Sequence, residues 1–265
     1  MCFRKLFHKP PPEPLVKTKL RYLGFGINRY PNPSNWLAGC LNDIDDVEKK
    51  LFSQFPGFYI VKYKDSEVTT GRFYTTIKNA LSMMTAGDLL YIHYSGHGTQ
   101  IPDHSGTELN GYHEALYLYD GPFQDDRLLE LQSLTPAGVK VIAKFDSCFS
   151  GDMLTKSTRN YFKNRFYQMP GVPVMKKVTR RFAKNDPTQK WIVFSGCGEE
   201  QTCADATFNG RANGAFTYYD LKSYRPGETY LGEITKLKNY LPCAGFDQSP
   251  ELTGGEIYHN DLVLT

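Results

Sequence analysis

The sequence lacks any run of about 18 apolar residues, and its basic start has no apolar stretch that would serve as a secretory signal. None of its six cysteines forms a CxxC pair, which argues against a zinc site. Without a signal, these cysteines predict reduced thiols rather than a disulfide framework. We therefore expect a cytoplasmic protein with no membrane span. At 265 residues, the chain is long enough to bury a sizeable apolar core.

Charge is distributed unevenly along the chain, whose net charge is +3. Residues 154–190 hold ten Lys or Arg and a single acid, Asp186, whereas the rest of the chain carries 21 basic and 27 acidic residues. Such a basic segment has three interpretations: a solvated loop, a surface that attracts nucleic acid or membrane, or a linker that is cut. Nucleic-acid binding ranks last, and we expect no nucleic-acid partner.

Apolar, β-branched and aromatic runs of strand length alternate with helix-like segments. Strands are predicted at 20–27, 58–64, 88–95, 139–145 and 191–196, and helices at 42–55, 69–84 and 125–134. This alternation predicts an α/β fold, a three-layer sandwich whose mostly parallel central sheet has helices on both faces. Active sites in such folds lie at the carboxyl ends of the strands.

Two predicted strand ends carry side chains suited to catalysis. Ser95 and His97 close the third strand, and Asp146 and Cys148 close the fourth. Side chains two residues apart share a face of a strand, so neighbouring strands would bring all four together. An imidazole can activate a thiol, and the amides of Gly98 and Cys148 could bind an oxyanion. A packed cysteine and a turn histidine explain the same residues, and both interpretations stay open on this basis.

The sequence around these residues resembles the metacaspases, which are caspase-like cysteine peptidases. The likeness includes "YSGHGTQIPD", "DSCFSGDM" and "FSGCGEEQTCADA", and it covers about residues 20–257 in the order of the family. The resemblance implies a caspase-like fold and an endopeptidase that cleaves after Arg or Lys, with His97 and Cys148 as its dyad. It also suggests a role in programmed cell death. The competing hypothesis is a non-catalytic caspase-like scaffold.

The resemblance further implies a specificity pocket lined by Cys40, Asp43, Ser95 and Asp146. Two carboxylates in one pocket suit a cationic side chain and would repel an acidic one. Asp43 is explained equally well as an acid that complements the dipole of the helix it opens. Both roles of Asp43 stay open.

Many metacaspases are activated by calcium, and the paired acids Asp125 and Asp126 match part of that site. His113 and Thr155 stand where the family has acids, and calcium prefers several carboxylate ligands. Asp125 and Asp126 are also explained as first-turn acids of the helix predicted at 125–134. We therefore expect that no cofactor is required and that activity does not depend on calcium.

The resemblance also gives a domain organisation. A short basic, Pro-containing arm spans 1–19, and a catalytic domain spans 20–265, with a larger portion at 20–153, a basic linker at 154–190 and a smaller portion at 191–265. A Lys- and Arg-rich linker would be a substrate of its own enzyme. Candidate processing sites are Arg165, Arg180 and Arg181, and spacing does not choose among them. We expect a monomer that acts on proteins or peptides with exposed Arg or Lys.

Overall fold

The computed structural model describes residues 19–103, 112–148, 163–173, 190–198 and 201–264. Within these ranges the strands are β1 (Leu20–Gly26), β2 (Phe58–Lys64), β3 (Leu89–Ser95), β4 (His97–Pro102), β5 (Tyr112–Leu118), β6 (Gly121–Gln124), β7 (Lys140–Asp146), β8 (Lys163–Asn164), β9 (Ile192–Ser195), β10 (Ala204–Phe208), β11 (Arg211–Gly214) and β12 (Glu251–Thr253). The α-helices are α1 (Cys40–Gln54), α2 (Thr70–Ser82), α3 (Asp125–Ser133), α4 (Ala215–Ser223) and α5 (Tyr230–Cys243).

Six strands form the central sheet in the order β12-β9-β7-β3-β1-β2. Every neighbouring pair is parallel except β12 and β9, which are antiparallel. The five strands predicted from the sequence are β1, β2, β3, β7 and β9, each placed within one residue of its observed ends. The predicted mostly parallel sheet is confirmed.

Helices cover both faces of this sheet. On one face, α1, α4 and α5 bury Val47, Phe216 and Leu237 in a shared apolar cluster. On the other face, α2 and α3 bury Phe73 and Leu131 in a second cluster. Because the sheet is covered twice, its strands are apolar on both sides, which explains their nearly continuous apolar runs. The three-layer α/β sandwich is confirmed, and no described helix is long and apolar enough to cross a membrane.

The start of α1 differs from the prediction. The helix begins at Cys40, with Gly39 in the capping position, so Asn42 lies inside the first turn instead of opening the helix. The carboxylate of Asp205 accepts hydrogen bonds from the amides of Ala38 at 2.7 Å and Gly39 at 2.9 Å. A distant acid on β10 thus satisfies donors at the helix terminus, which local sequence cannot reveal.

Two small antiparallel sheets, which sequence reasoning missed, contain β4-β5-β6 and β11-β10-β8. Several of their strands are too short for a detectable alternation, since β8 has two residues and β6 and β11 have four each. The chain turns from β3 into β4 at Gly96. A Cβ atom at Gly96 would lie 2.4 Å from the hydroxyl of Tyr94, so only glycine fits this turn.

The central sheet also contains a buried histidine. The ring of His93 lies between the hydroxyls of Tyr22, 3.3 Å from Nδ1, and Thr217, 3.1 Å from Nε2. Burial, with added repulsion from the charges of Lys144 and Arg165, lowers the pKa of His93 from 6.5 to about 3. The folded protein therefore holds this ring neutral where the unfolded chain would protonate it.

We predict that His93 makes the fold acid-sensitive. Because the unfolded state binds the proton first as pH falls below 6.5, stability decreases from there toward pH 3, by at most about 1.4 kcal/mol per pH unit for this group. Urea titrations between pH 7 and 4 should show a shallower pH dependence for His93→Gln than for the wild type. His259→Gln, at a histidine outside the central sheet whose ring is hydrogen-bonded to the carbonyl of Gly254, serves as the control. An unchanged slope in His93→Gln would contradict the prediction.

Candidate active site

The carboxyl ends of β3 and β7 lie side by side, and their last residues, Ser95 and Asp146, pair in register. Helix α1 begins beside them, and the hydroxyl of Ser95 donates to the carboxylate of Asp43 at 2.7 Å. Burial raises the pKa of the Cys40 thiol, while the neighbouring Arg165 and Ser95 side chains lower it. All four residues are buried. The pocket residues implied by the family resemblance therefore meet at one point.

The guanidinium of Arg165, from the predicted basic linker, fills this pocket. Nη1 donates to Ser95 Oγ at 2.7 Å and lies 3.1 Å from Asp146 Oδ1. Nη2 donates to Asp43 Oδ2 and to Asp205 Oδ1, both at 2.9 Å. The Arg165 side chain has no exposed surface. The solvated-loop interpretation of the basic segment is therefore wrong at this residue.

Three carboxylates surround this single guanidinium. Desolvation opposes the charge of Arg165, but Asp146, Asp43 and Asp205, together with Cys40, raise the pKa of the guanidinium. Burial raises the pKa of Asp146 to about 6, although Arg165 lowers it, and burial likewise raises the pKa of Asp43. Buried carboxylates this close need a cation to stay ionised together. The pocket is chemically suited to a cationic side chain.

Gly214 forms one wall of the pocket. Its amide donates to both carboxylate oxygens of Asp43, at 2.9 and 3.0 Å. A Cβ atom at Gly214 would lie 2.1 Å from Asp146 Oδ2 and 2.5 Å from Arg165 Nη1, so any side chain here would occupy the place of the cation. Asp146 Oδ2 is fixed by the amide and hydroxyl of Thr217, at 2.9 and 2.7 Å. Because the carboxylate of Asp43 contacts both Arg165 and the amide of Gly214, it lines the pocket.

The backbone around Arg165 lies extended along the site, and we call residues 163–167 the bound segment. Its first part, β8, pairs antiparallel with β10. The amide of Arg165 donates to the carbonyl of Cys203 at 3.1 Å, and the amide of Gly98 donates to the carbonyl of Arg165 at 2.9 Å. The amide of Tyr167 donates back to the carbonyl of Gly98 at 2.8 Å. Gly98 therefore binds the carbonyl of Arg165 and the amide of Tyr167, on either side of Phe166.

Other side chains of the bound segment are also held. Lys163 Nζ donates to the backbone carbonyls of Ser34, at 2.8 Å, and Trp36. The side-chain oxygen of Asn164 accepts from the amide of Phe166 at 2.9 Å. The bound segment thus makes contacts through side chains and backbone that resemble those of an extended peptide in a cleft.

His97 is the first residue of β4 and lies beside the bound segment. Its Nε2 donates to the carbonyl of Asn35 at 2.8 Å, which leaves the lone pair of a neutral ring on Nδ1. Burial lowers the pKa of His97 to about 4, while contacts with the backbone of Asn35 and Arg165 oppose the shift. At neutral pH the ring is therefore uncharged and able to accept a proton.

Cys148 contacts the same segment. Its Sγ lies 3.3 Å from Asn164 Oδ1 and 3.3 Å from the carbonyl of Cys203, and Phe166 packs against it. The thiol is fully buried. Burial and the neighbouring thiol of Cys197 raise the pKa of Cys148 well above its ordinary value. With the bound segment in place, Cys148 is a neutral thiol and His97 a neutral imidazole.

The residues predicted for the dyad, the oxyanion contact and the pocket all lie around the bound segment. They are His97, Cys148, Gly98, Cys40, Asp43, Ser95 and Asp146. Of the other candidate processing residues, Arg180 and Arg181 lie outside the described residues. Sequence reasoning missed Asp205, Gly214 and Asn35. Asp205 lies within the motif "FSGCGEEQTCADA", which supported the family resemblance but gave this residue no role, and Asn35 acts through its backbone, so the folded chain is needed to assign them.

The acids predicted for calcium surround a histidine. His113 Nε2 lies 3.1 Å from Asp103 Oδ1, and Nδ1 lies 3.5 Å from Asp125 Oδ1 and 3.9 Å from Asp126 Oδ2. An imidazole ring thus lies where these carboxylates converge, whereas calcium needs six to eight oxygen ligands. Asp125 and Asp126 are first-turn acids of α3, as the alternative interpretation predicted. These residues do not fit a calcium site, and Thr155 lies outside the described residues.

Comparisons with known proteins agree with this architecture. The family model described as "Metacaspase, peptidase C14 domain" matches residues 21–157. Metacaspase-1 of Schizosaccharomyces pombe is 30% identical over 89% of this chain and 67% of its own length. Metacaspase-1 of Candida albicans is 30% identical over 89% of this chain and 65% of its own length. The chain belongs to the metacaspase family of peptidases, and it spans about two thirds of the length of these relatives.

Two solved structures share the fold. A crystal structure of a protein from Geobacter sulfurreducens aligns with a TM-score of 0.71 and 26% identity, covering 93% of this chain and 98% of that chain. Caspase-1 from Spodoptera frugiperda aligns with a TM-score of 0.62 and 13% identity, covering 90% and 89%. The second likeness concerns the fold alone. The expected caspase-like fold is confirmed.

The burial of Cys148 predicts slow alkylation in the native chain. Iodoacetamide should modify Cys148 much more slowly than Cys243, because Cys148 is buried with a raised pKa whereas Cys243 is exposed. Peptide mass spectrometry after timed exposure measures both rates in one sample. Unfolding in urea should bring the two rates together. Equal rates in the native protein would show that Cys148 is accessible.

Proposed function

We propose that this protein is a cysteine endopeptidase that cleaves proteins after Arg, and less efficiently after Lys, with His97 and Cys148 as its dyad. The pose of Arg165 carries the proposal. Its guanidinium lies in the acidic pocket while its carbonyl oxygen accepts from the Gly98 amide at 2.9 Å. In acyl transfer, the oxygen held by such a donor is the one that gains negative charge.

A substrate in the place of the bound segment would react in two stages. His97 accepts the proton of Cys148 on Nδ1, and the thiolate attacks the carbonyl carbon of the substrate Arg. The amides of Gly98 and Cys148 stabilise the oxyanion, and His97 then protonates the leaving amine. Water, activated by the same imidazole, hydrolyses the thioester. The carbonyl of Asn35 holds the ring in the tautomer that this sequence of proton transfers needs.

The pocket favours Arg over Lys because it uses both terminal nitrogens of a guanidinium. Nη1 contacts Ser95 and Asp146, and Nη2 contacts Asp43 and Asp205. A Lys ammonium is a single point charge and does not span these two sets of acceptors. A substrate Asp would be repelled by the same carboxylates. We therefore place Arg first, Lys second and acidic residues last.

The bond between Arg165 and Phe166 is the self-processing site that we propose, ahead of Arg180 and Arg181. The bound segment has the contacts of a substrate on both sides of this bond, and its presence keeps other substrates out of the pocket. Cleavage would create a charged amino terminus at Phe166, among buried apolar groups that include Cys148, and would favour release of that end. The intact chain would then be a zymogen.

Peptide hydrolysis tests the proposed specificity. Among matched fluorogenic peptides, kcat/KM should be highest for Arg before the cleaved bond, lower for Lys and undetectable for Asp. Asp205→Asn should lower kcat/KM for the Arg peptide by about 10- to 100-fold, since a charged hydrogen bond is lost. The matched control is Asp247→Asn, at an exposed residue. Rates should be the same in calcium and in chelator, because His113 lies among the acids of the family's calcium site.

Three other outcomes would each contradict a part of the proposal. Hydrolysis of none of these peptides, in calcium or in chelator, would favour the non-catalytic scaffold. Cleavage after Asp would overturn the pocket assignment. Activation by calcium would contradict the expectation of calcium independence.

Self-processing is tested by the fragments that the full chain produces. On incubation, the wild type should yield a fragment whose amino terminus is Phe166, detected by intact mass spectrometry. Cys148→Ala should remain full length, and Arg165→Gln should not be cut at this position, because Gln cannot ionise to match the acidic pocket. Arg180→Gln is the matched control and should still be cut after Arg165. An active enzyme that remains one full-length species would refute self-processing.

A further inference from the structure

Cys148 belongs to a cluster of three thiols. Cys148, Cys197 and Cys203 are all fully buried and form a small core of their own, against which Phe166 packs. Their sulfur atoms lie within 4.8 Å of one another. The proposed peptidase chemistry uses only one of these thiols, so the other two are thiols without an assigned role.

Of the other two cysteines, Cys203 is the one whose backbone contacts the sulfur of Cys148. Its amide donates to the sulfur of Cys148 at 2.5 Å, and its carbonyl lies 3.3 Å from the same sulfur. Its own sulfur points toward the carbonyl of Ser147 at 3.2 Å, while the sulfur of Cys197 is 3.8 Å from that carbonyl. Cys203 therefore contacts the sulfur of Cys148 through its backbone, and its own sulfur, like that of Cys197, lies within 4.8 Å of the Cys148 sulfur.

From this juxtaposition we infer that Cys148 and Cys203 form a reversible disulfide when a peroxide oxidises the site. The inference rests on the proposed function in treating Cys148 as the reactive nucleophile. A cysteine that is the best nucleophile of a protein is also its most oxidisable residue once it is ionised and exposed. An adjacent thiol decides whether that oxidation can be reversed.

The reaction balances as two displacements. The thiolate of Cys148 attacks one oxygen of hydrogen peroxide, the O–O bond breaks, and the departing hydroxide takes a proton to become water. Cys203 then loses its proton and attacks the sulfenic sulfur of Cys148, and the S–O bond breaks as the hydroxide leaves with a proton as a second water. The two thiols lose two electrons, and the peroxide is reduced to two waters.

The bound segment controls access to this chemistry. While it occupies the site, Cys148 is fully buried, and burial raises the pKa of both Cys148 and Cys203. Few thiolates then meet peroxide. When the segment leaves, solvent reaches the sulfur and the thiolate fraction increases. The disulfide therefore forms on the open, catalytically competent enzyme in preference to the closed chain.

The disulfide also differs in consequence from further oxidation. Without a partner thiol, the sulfenic acid of Cys148 proceeds to sulfinic acid, which ordinary thiols do not reduce. With Cys203 beside it, the nucleophile is stored as a disulfide that a thiol reductant reopens. Cys203 would thus preserve the nucleophile through an oxidative episode.

The test compares the full-length wild type with Cys203→Ser, a nearly isosteric change, and with Cys197→Ser as the matched control. After hydrogen peroxide, remaining thiols are alkylated, and non-reducing peptide mass spectrometry identifies any linked pair. In parallel, Arg-peptide hydrolysis is measured before peroxide, after peroxide and after dithiothreitol, each as a fraction of that variant's own starting rate. The same assay on Arg165→Ala, whose bound segment lacks its anchoring guanidinium, measures the effect of opening the site.

We expect a Cys148–Cys203 linked peptide and recovery of activity with dithiothreitol in the wild type and in Cys197→Ser. Cys203→Ser should lose the link, accumulate sulfinic acid at Cys148 and fail to recover. Arg165→Ala should form the link faster than the wild type. A wild type in which Cys148 becomes sulfinic without any link, or links to Cys197 instead, would overturn the inference. Because mass spectrometry detects the link without turnover, an inactive protein would refute the proposed function and still decide this question.

Discussion

The guanidinium of Arg165 is the charge on which the cleft depends, because three buried carboxylates from three parts of the fold converge on it. Asp43 comes from α1, Asp146 from β7 and Asp205 from β10, and each makes a second contact that holds its own element in place. Asp205 accepts the amides at the start of α1, and Asp43 accepts the amide of Gly214 at the end of β11. Removing one partner of a buried ion pair costs about 3 to 5 kcal/mol, since it leaves an uncompensated charge. The acidic pocket therefore joins the central sheet to the small sheet beside it, and the guanidinium of Arg165 balances its charge.

The need of the three carboxylates for a cation bears on which side chains the pocket can accept. A substrate that displaces Arg165 must supply its own cation, or the carboxylates must take up protons or water at a cost in free energy. An apolar side chain of the same size would fit the volume and still fail, because it leaves the acids unpaired. Discrimination thus depends on the penalty for a wrong occupant as well as on the bonds made to a right one. In the proposed function, the acids that would select a substrate also retain the bound segment, so exclusion and recognition come from one set of residues.

The sequence predicted the parts of this site that follow from local pattern. Strand ends carrying Ser95, Asp146 and Cys148 could be found because apolar runs mark parallel strands and reactive residues follow them. The short strands β8, β10 and β11 could not, since two to five residues carry no usable periodicity. Arg165 was one of ten basic residues in its segment, and nothing local distinguishes it from Arg180 or Arg181. Its partners lie 19 to 122 positions away along the chain, so only the tertiary fold shows which arginine meets them.

Cys203 contacts both the bound segment and Cys148, which are distant from it in the sequence. Its carbonyl pairs with the amide of Arg165, its amide contacts the sulfur of Cys148, and the residue two positions later is the pocket acid Asp205. A peptide in the cleft and a disulfide at Cys148 both require this short stretch, the first as an extended hydrogen-bonding edge and the second through the thiol beside it. An acyl-enzyme and a disulfide also compete for one sulfur atom. If Cys148 acts as proposed, an acyl-enzyme and a disulfide therefore exclude each other, and the bound segment, which buries Cys148, would delay both until it leaves.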